Sequence, residues 1–145
     1  MKRFLPIIVL MTIALCVKSQ ELTDQEAIIQ QCIDLPGLQE HFPREYSGNF
    51  IPVHIMQYPI QFDEGLNIRK FEAPPVFMSR EEIYDNNVGA YFLFEKIDEM
   101  ERHALVKFSF YYDCTSKSPQ YEHYDIKLEK KEHEWVITNF EIQNF

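Results

Sequence analysis

The sequence predicts an α+β domain: an N-terminal helix packed on a curved antiparallel sheet of four or more strands, with a short second helix. Three observations predict it. A capped amphipathic stretch follows residue 20, and alternating apolar segments in two successive hairpins fill residues 90–142. The sheet they form offers the only large apolar face on which the helix can bury its stripe. The chain has 145 residues, the size of one domain, expected to span residues 20–145. Its 46% apolar and 14% aromatic content is enough to bury a core and excludes a disordered chain.

The helix start is Thr23-Asp24-Gln25-Glu26, where Thr23 caps, Glu26 reaches back and Asp24 suits the positive helix end. Ala27, Ile28, Ile29, Cys32 and Ile33 make the apolar stripe, and Pro36-Gly37 ends it, so the helix is expected over 24–34. Residues 35–50 read as an irregular connection. Ile51 to Tyr58 reads as a strand that Pro52 and Pro59 confine to a sheet edge. Asp63-Glu64-Gly65 is a turn, and Ile68 to Phe71 a short strand ending before Pro74-Pro75. Ser79-Arg80-Glu81-Glu82 is a second capping box, opening a short helix that Asp85-Asn86-Asn87 stops.

The last third has a firmer pattern. Tyr91–Asp98 and Ala104–Cys114 flank a polar turn, and Val106, Phe108, Phe110 and Tyr112 share one face against Lys107 and Ser109 on the other. Tyr124, Ile126 and Leu128 alternate with Asp125, Lys127 and Glu129, and Trp135–Ile142 closes an antiparallel meander.

The first 19 residues form an address. Lys2 and Arg3 precede an apolar run from Phe4 to Val17, shorter than the roughly 20 residues of a membrane span. This order is that of a secretory signal peptide, with cleavage expected after Ser19. Cys16 offers a lipoprotein alternative, disfavoured by the bulk of Leu15 before it. The protein is therefore expected to be periplasmic or extracellular, with no transmembrane segment in the mature chain. Without residues 1–19 it carries 23 acidic and 11 basic residues, a net charge of −12. That charge argues against nucleic acid as a partner.

Chemical motifs are sparse. No pair of the five histidines has the i, i+4 spacing of helix-borne metal ligands. Gly-x-Ser-x-Gly is absent, and four isolated glycines make no phosphate loop. No cofactor, metal or catalytic residue is called for by any of these spacings. Cys32 and Cys114 remain after cleavage, in a compartment that permits disulfides. Cys114 continues the inward series of its strand and Cys32 lies on the helix stripe, so both are expected in the core. There they either pair or remain two buried thiols. Tyr91 and Leu93 alternate with Phe92 and Phe94, so that strand is apolar on both faces. Either it is a central strand covered on both sides, or its second face meets a ligand or a subunit. Tyr111 and Tyr121 extend that face, and His54 adjoins it.

The order of helix, irregular middle and two hairpins, with Tyr124-x-Ile126-x-Leu128, a lysine-rich turn and Trp135-Val136-Ile137, resembles small exported proteins of the Bacteroidetes. It is also similar to the cone-shaped nuclear-transport-factor-like and cystatin-like domains, chiefly over residues 90–142. In enzymes of the nuclear-transport-factor-like group the resemblance implies a conical pocket with Asp, His or Tyr projecting inward. No motif here matches a catalytic position of that group, and the cystatin loop Gln-x-Val-x-Gly is missing.

The function expected from these observations is an exported, non-catalytic binding or interaction module. Its partner would be a protein, a small apolar ligand or a second copy of itself. The alternatives are a small pocket enzyme of the nuclear-transport-factor-like type and an acidic inhibitor or protective protein for a basic partner.

Overall fold

The structure, a computed structural model, describes residues 21–143; the expected signal segment, with Cys16 and the cleavage position, lies outside them. Helix α1 (Asp24–Ile33) opens on the expected box, in which Thr23 Oγ accepts the Glu26 N–H and Glu26 Oε1 accepts the Thr23 N–H. Glu26 Oε2 also accepts the Asn67 N–H, so one buried carboxylate caps the helix and tethers a loop 41 residues away. A 3₁₀ helix follows at Pro36–His41. Then come β1 (His54–Met56), β2 (Val76–Met78), α2 (Arg80–Asp85), β3 (Tyr91–Glu99), β4 (His103–Tyr112), β5 (Gln120–Lys131) and β6 (Glu134–Gln143). The second capping box is present at Ser79 and Glu82.

The expected fold class is corrected in two respects. The molecule is strand-dominated: its helices have ten, six and six residues, and the first begins at Asp24 rather than at the N-terminus. The sheet is mixed, not antiparallel, with six strands in the order β2-β1-β3-β4-β5-β6. Strands β3 to β6 form the expected meander, but β1 lies parallel to both β2 and β3. It is an interior strand, because Pro52 and Pro59 fall just outside its three residues and remove no donor from its ladder. Residues 68–71 are not a strand; Lys70 and Ala73 close a turn through Phe71 and Glu72, both left-handed.

All the large core side chains of the meander lie on one face. Phe92 and Phe94 of β3, Phe108 and Phe110 of β4, and Tyr124, Ile126 and Leu128 of β5 are buried under Ile28, Ile29, Cys32 and Ile33 of α1 and Leu38 of the 3₁₀ helix. The rings contact one another, with centroids 4.6 Å apart for Phe92–Phe110 and 5.0 Å for Phe108–Tyr124. Each aliphatic side chain buried this way contributes about 1.5–3 kcal/mol. At the helix start, Asp24 Oδ1 accepts hydrogen bonds of 2.9 Å from both Lys130 Nζ and Trp135 Nε1, fixing α1 to the β5–β6 hairpin.

Candidate functional site

The opposite face of the sheet carries a different chemistry. Cross-strand register sets Tyr91 of β3 against Tyr111 of β4, and Tyr111 against Tyr121 of β5. The three rings stack in a row, with centroids 4.8 and 5.5 Å apart. Leu93 stands opposite Ser109 in the next rung, and Ser109 opposite His123. Tyr91, Leu93 and Tyr111 are half-buried and Tyr121 is exposed, and none of the four belongs to the core.

Helix α2 and the loop after β4 turn one end of this row into a groove of about 680 Å³, lined in part by Ile83, Tyr84, Val88, Tyr91, Tyr111 and Cys114. The capped helix presents Ile83 and Tyr84. It ends at Asp85; Asn87, two residues on, is left-handed, and Val88 N–H returns to the Ile83 carbonyl at 3.3 Å. Across the groove Cys114 N–H donates to the Gly89 carbonyl at 3.0 Å, holding the loop against the entry to β3. Burial, and then the neighbouring Cys114, Tyr111 and Tyr84, push the Tyr91 phenol up to about 12. Burial likewise raises Tyr111. The groove therefore presents neutral phenols, each with an apolar ring and a hydrogen-bonding tip. Its volume suits a small ligand or a few side chains of a protein.

Of the two arrangements open to Cys32 and Cys114, the structure has the unpaired one, with both thiols free. Cys32 is in the core as expected. Cys114 is not, because β4 ends at Tyr112 and Asp113 turns left-handed. The alternation that would point Cys114 inward stops there, and its side chain lines the groove instead. Burial and then the Asp113 charge raise its thiol, so it is a weak nucleophile at neutral pH.

His54 lies one strand away from the tyrosine row, half-buried beside a crevice of about 10 Å³ that Tyr91 also lines. That is no more room than one water needs. Burial lowers its pKa, partly opposed by a hydrogen bond to the Pro52 backbone.

The register also assembles a group that sequence parity does not reveal. Ser109 Oγ lies 3.0 Å from His123 Nδ1, His123 Nε2 lies 3.7 Å from Asp125 Oδ1, and Glu95 Oε1 lies 3.8 Å from His123 Nδ1. The residue types are those of a nucleophile triad, but the geometry is not. The His–Asp separation exceeds a hydrogen bond, and Ser109 is almost wholly buried. Strand β4 is interior, so its N–H groups serve ladders on both sides and leave no oxyanion donors. Among the described residues no group of three or more His, Cys, Asp or Glu is gathered to hold a metal, and no helix is long and apolar enough to cross a membrane.

Comparison of the chain with protein-family models, curated proteins and solved structures finds no match.

A larger hollow of about 1080 Å³ lies between α1 and the β5–β6 hairpin. Its central charges are committed to each other: Asp24 holds Lys130 and Trp135. The tyrosine groove is the better candidate, because among the described residues no ion pair ties up the side chains that line it. Tyr84, largely exposed there, is not singled out by the sequence because it belongs to a short helix with no apolar stripe. Its signal is the capping box of Ser79 and Glu82, which marks the helix that carries it.

Proposed function

We propose that the protein is an exported, non-catalytic binding module that holds its partner, a protein segment or a small apolar ligand, in the tyrosine groove. The observation that supports this reading is the row Tyr91–Tyr111–Tyr121, stacked on the face away from the core and opening into the groove of about 680 Å³. Tyrosine supplies a large contact area at a small cost in conformational entropy, and buried tyrosines at interfaces are frequent energetic anchors. Export is supported by the positive start and apolar run of residues 2–17.

The test is a photo-activatable side chain introduced at Tyr121, at the exposed end of the row, with irradiation in the producing cells and their medium. The expected result is a discrete adduct that Tyr91→Ser abolishes while the variant remains folded. An adduct that persists in Tyr91→Ser, or no adduct from Tyr121, would overturn the reading.

A further inference from the structure

The two edges of the sheet differ sharply. Edge strand β2 has three residues and is preceded by Pro74-Pro75, which limits pairing with another chain. Edge strand β6 has ten residues, Glu134 to Gln143, without a lysine, arginine or proline. No strand among the described residues covers its outer side. It also carries apolar side chains that the core leaves open: Phe140 is 51% and Ile142 is 44% exposed. They stand opposite Ile126 and Tyr124, on the core face of the sheet.

A bulge gives this strand its symmetry. Thr138 is an extra residue between the rungs Lys127–Asn139 and Leu128–Ile137. The bulge sets Trp135 and Ile137 before it, and Phe140 and Ile142 after it, on the same face. Without the extra residue, Trp135 and Ile142 would point to opposite faces, since side chains alternate. The core-facing positions 135, 137, 140 and 142 are therefore palindromic about the midpoint between Thr138 and Asn139. The opposite-facing positions 134, 136, 141 and 143 share that midpoint. An isologous two-fold interface needs a self-complementary strand of this kind.

We infer that β6 pairs antiparallel with β6 of a second copy of this chain, about a two-fold axis between Thr138 and Asn139, continuing the sheet across both molecules. In that register Trp135 meets Ile142 and Ile137 meets Phe140, so apolar groups meet on the core face. Glu134 faces Gln143 and Glu141 faces Val136, so no acid opposes an acid. Pairing the last segment about Glu141 would set that carboxylate against its own copy, and this charge pattern disfavours it. Bulges usually blunt an edge. Here the bulge lies on the axis and costs the ladder only its central rungs. The inference does not depend on the tyrosine groove, which lies on the other face and toward the other edge.

Sedimentation of the purified protein over a concentration series tests it. The expected result is a species of twice the monomer mass that falls to monomer mass in Phe140→Lys/Ile142→Lys. Both side chains are exposed, so that variant should keep a cooperative unfolding transition, with a midpoint that, unlike the wild type's, does not rise with protein concentration. A second measurement reads the register. In a Cys114→Ser background, Val136→Cys and Glu141→Cys proteins should form a disulfide-linked dimer when mixed, and neither should do so alone. The inference is overturned if the wild type is monomeric throughout, if the lysine variant remains dimeric, or if either single-cysteine protein cross-links to itself as readily as in the mixture. Should the lysine variant unfold, the mixing experiment alone decides.

Discussion

The two faces of strands β3–β5 both carry aromatic side chains and differ in what those side chains meet. On one face Phe92, Phe94, Phe108, Phe110 and Tyr124 are buried and contact one another and the leading helix. On the other, Tyr91, Tyr111 and Tyr121 stack in a row, and Tyr121 remains exposed. Phenylalanine has no polar atom and is suited to a dry interior. Tyrosine keeps a hydroxyl for water or for a partner. The choice between Phe and Tyr at successive positions of one strand thus separates the face that holds the fold from the face available for contact.

Four substitutions sharpen that comparison. Phe108→Ala removes a ring packed on Phe92, Phe94 and Tyr124, and should cost about 3–5 kcal/mol in denaturant unfolding. Cys32→Ser places a hydroxyl without a partner among Ile28, Ile29 and Ile33, and should cost about 1–3 kcal/mol. Glu26→Gln weakens acceptance of the Thr23 and Asn67 N–H groups and should cost about 1–2 kcal/mol at neutral pH. Those backbone hydrogen bonds, Thr23 first, hold the Glu26 carboxyl below its usual range. A depressed carboxyl stabilises the fold above its unfolded pKa of about 4.3 and loses that contribution as pH falls through the folded pKa. The difference in stability between wild type and Glu26→Gln should accordingly shrink in a titration from neutral pH into acid. Cys114→Ser, on the groove side, should change stability by less than about 0.5 kcal/mol. Equal losses for Cys32→Ser and Cys114→Ser would indicate a shared disulfide.

Much of the fold is legible in local chemistry. Thr23 with Glu26 and Ser79 with Glu82 mark both α-helix starts, because a capping box needs only four residues of sequence. Alternation across 106–112 separates Phe108 and Phe110 from Lys107 and Ser109, because the two-residue period of a long strand is unbroken there. What is not legible depends on pairings between distant segments. Strands β1 and β2 have three residues each, too few for a period, and their parallel partners come from elsewhere in the chain. Asp113 breaks the alternation with one left-handed residue and carries Cys114 out of the core. Parity places Tyr91, Tyr111, Tyr121 and His123 on one face, but only the register stacks the three rings and sets Ser109 against His123.

Phe92 and Leu93 are neighbours in β3 that point to opposite faces, and their unfolding free energies compare the two faces directly. With the fold held by one face and the other free for contact, Phe92→Ala should lose about 3–5 kcal/mol. Leu93→Ser, at a half-buried position, should lose no more than about 1.5 kcal/mol and keep a cooperative transition. A Leu93→Ser protein destabilised as much as Phe92→Ala would show that the tyrosine face is part of the core, and would contradict the assignment of that face to binding.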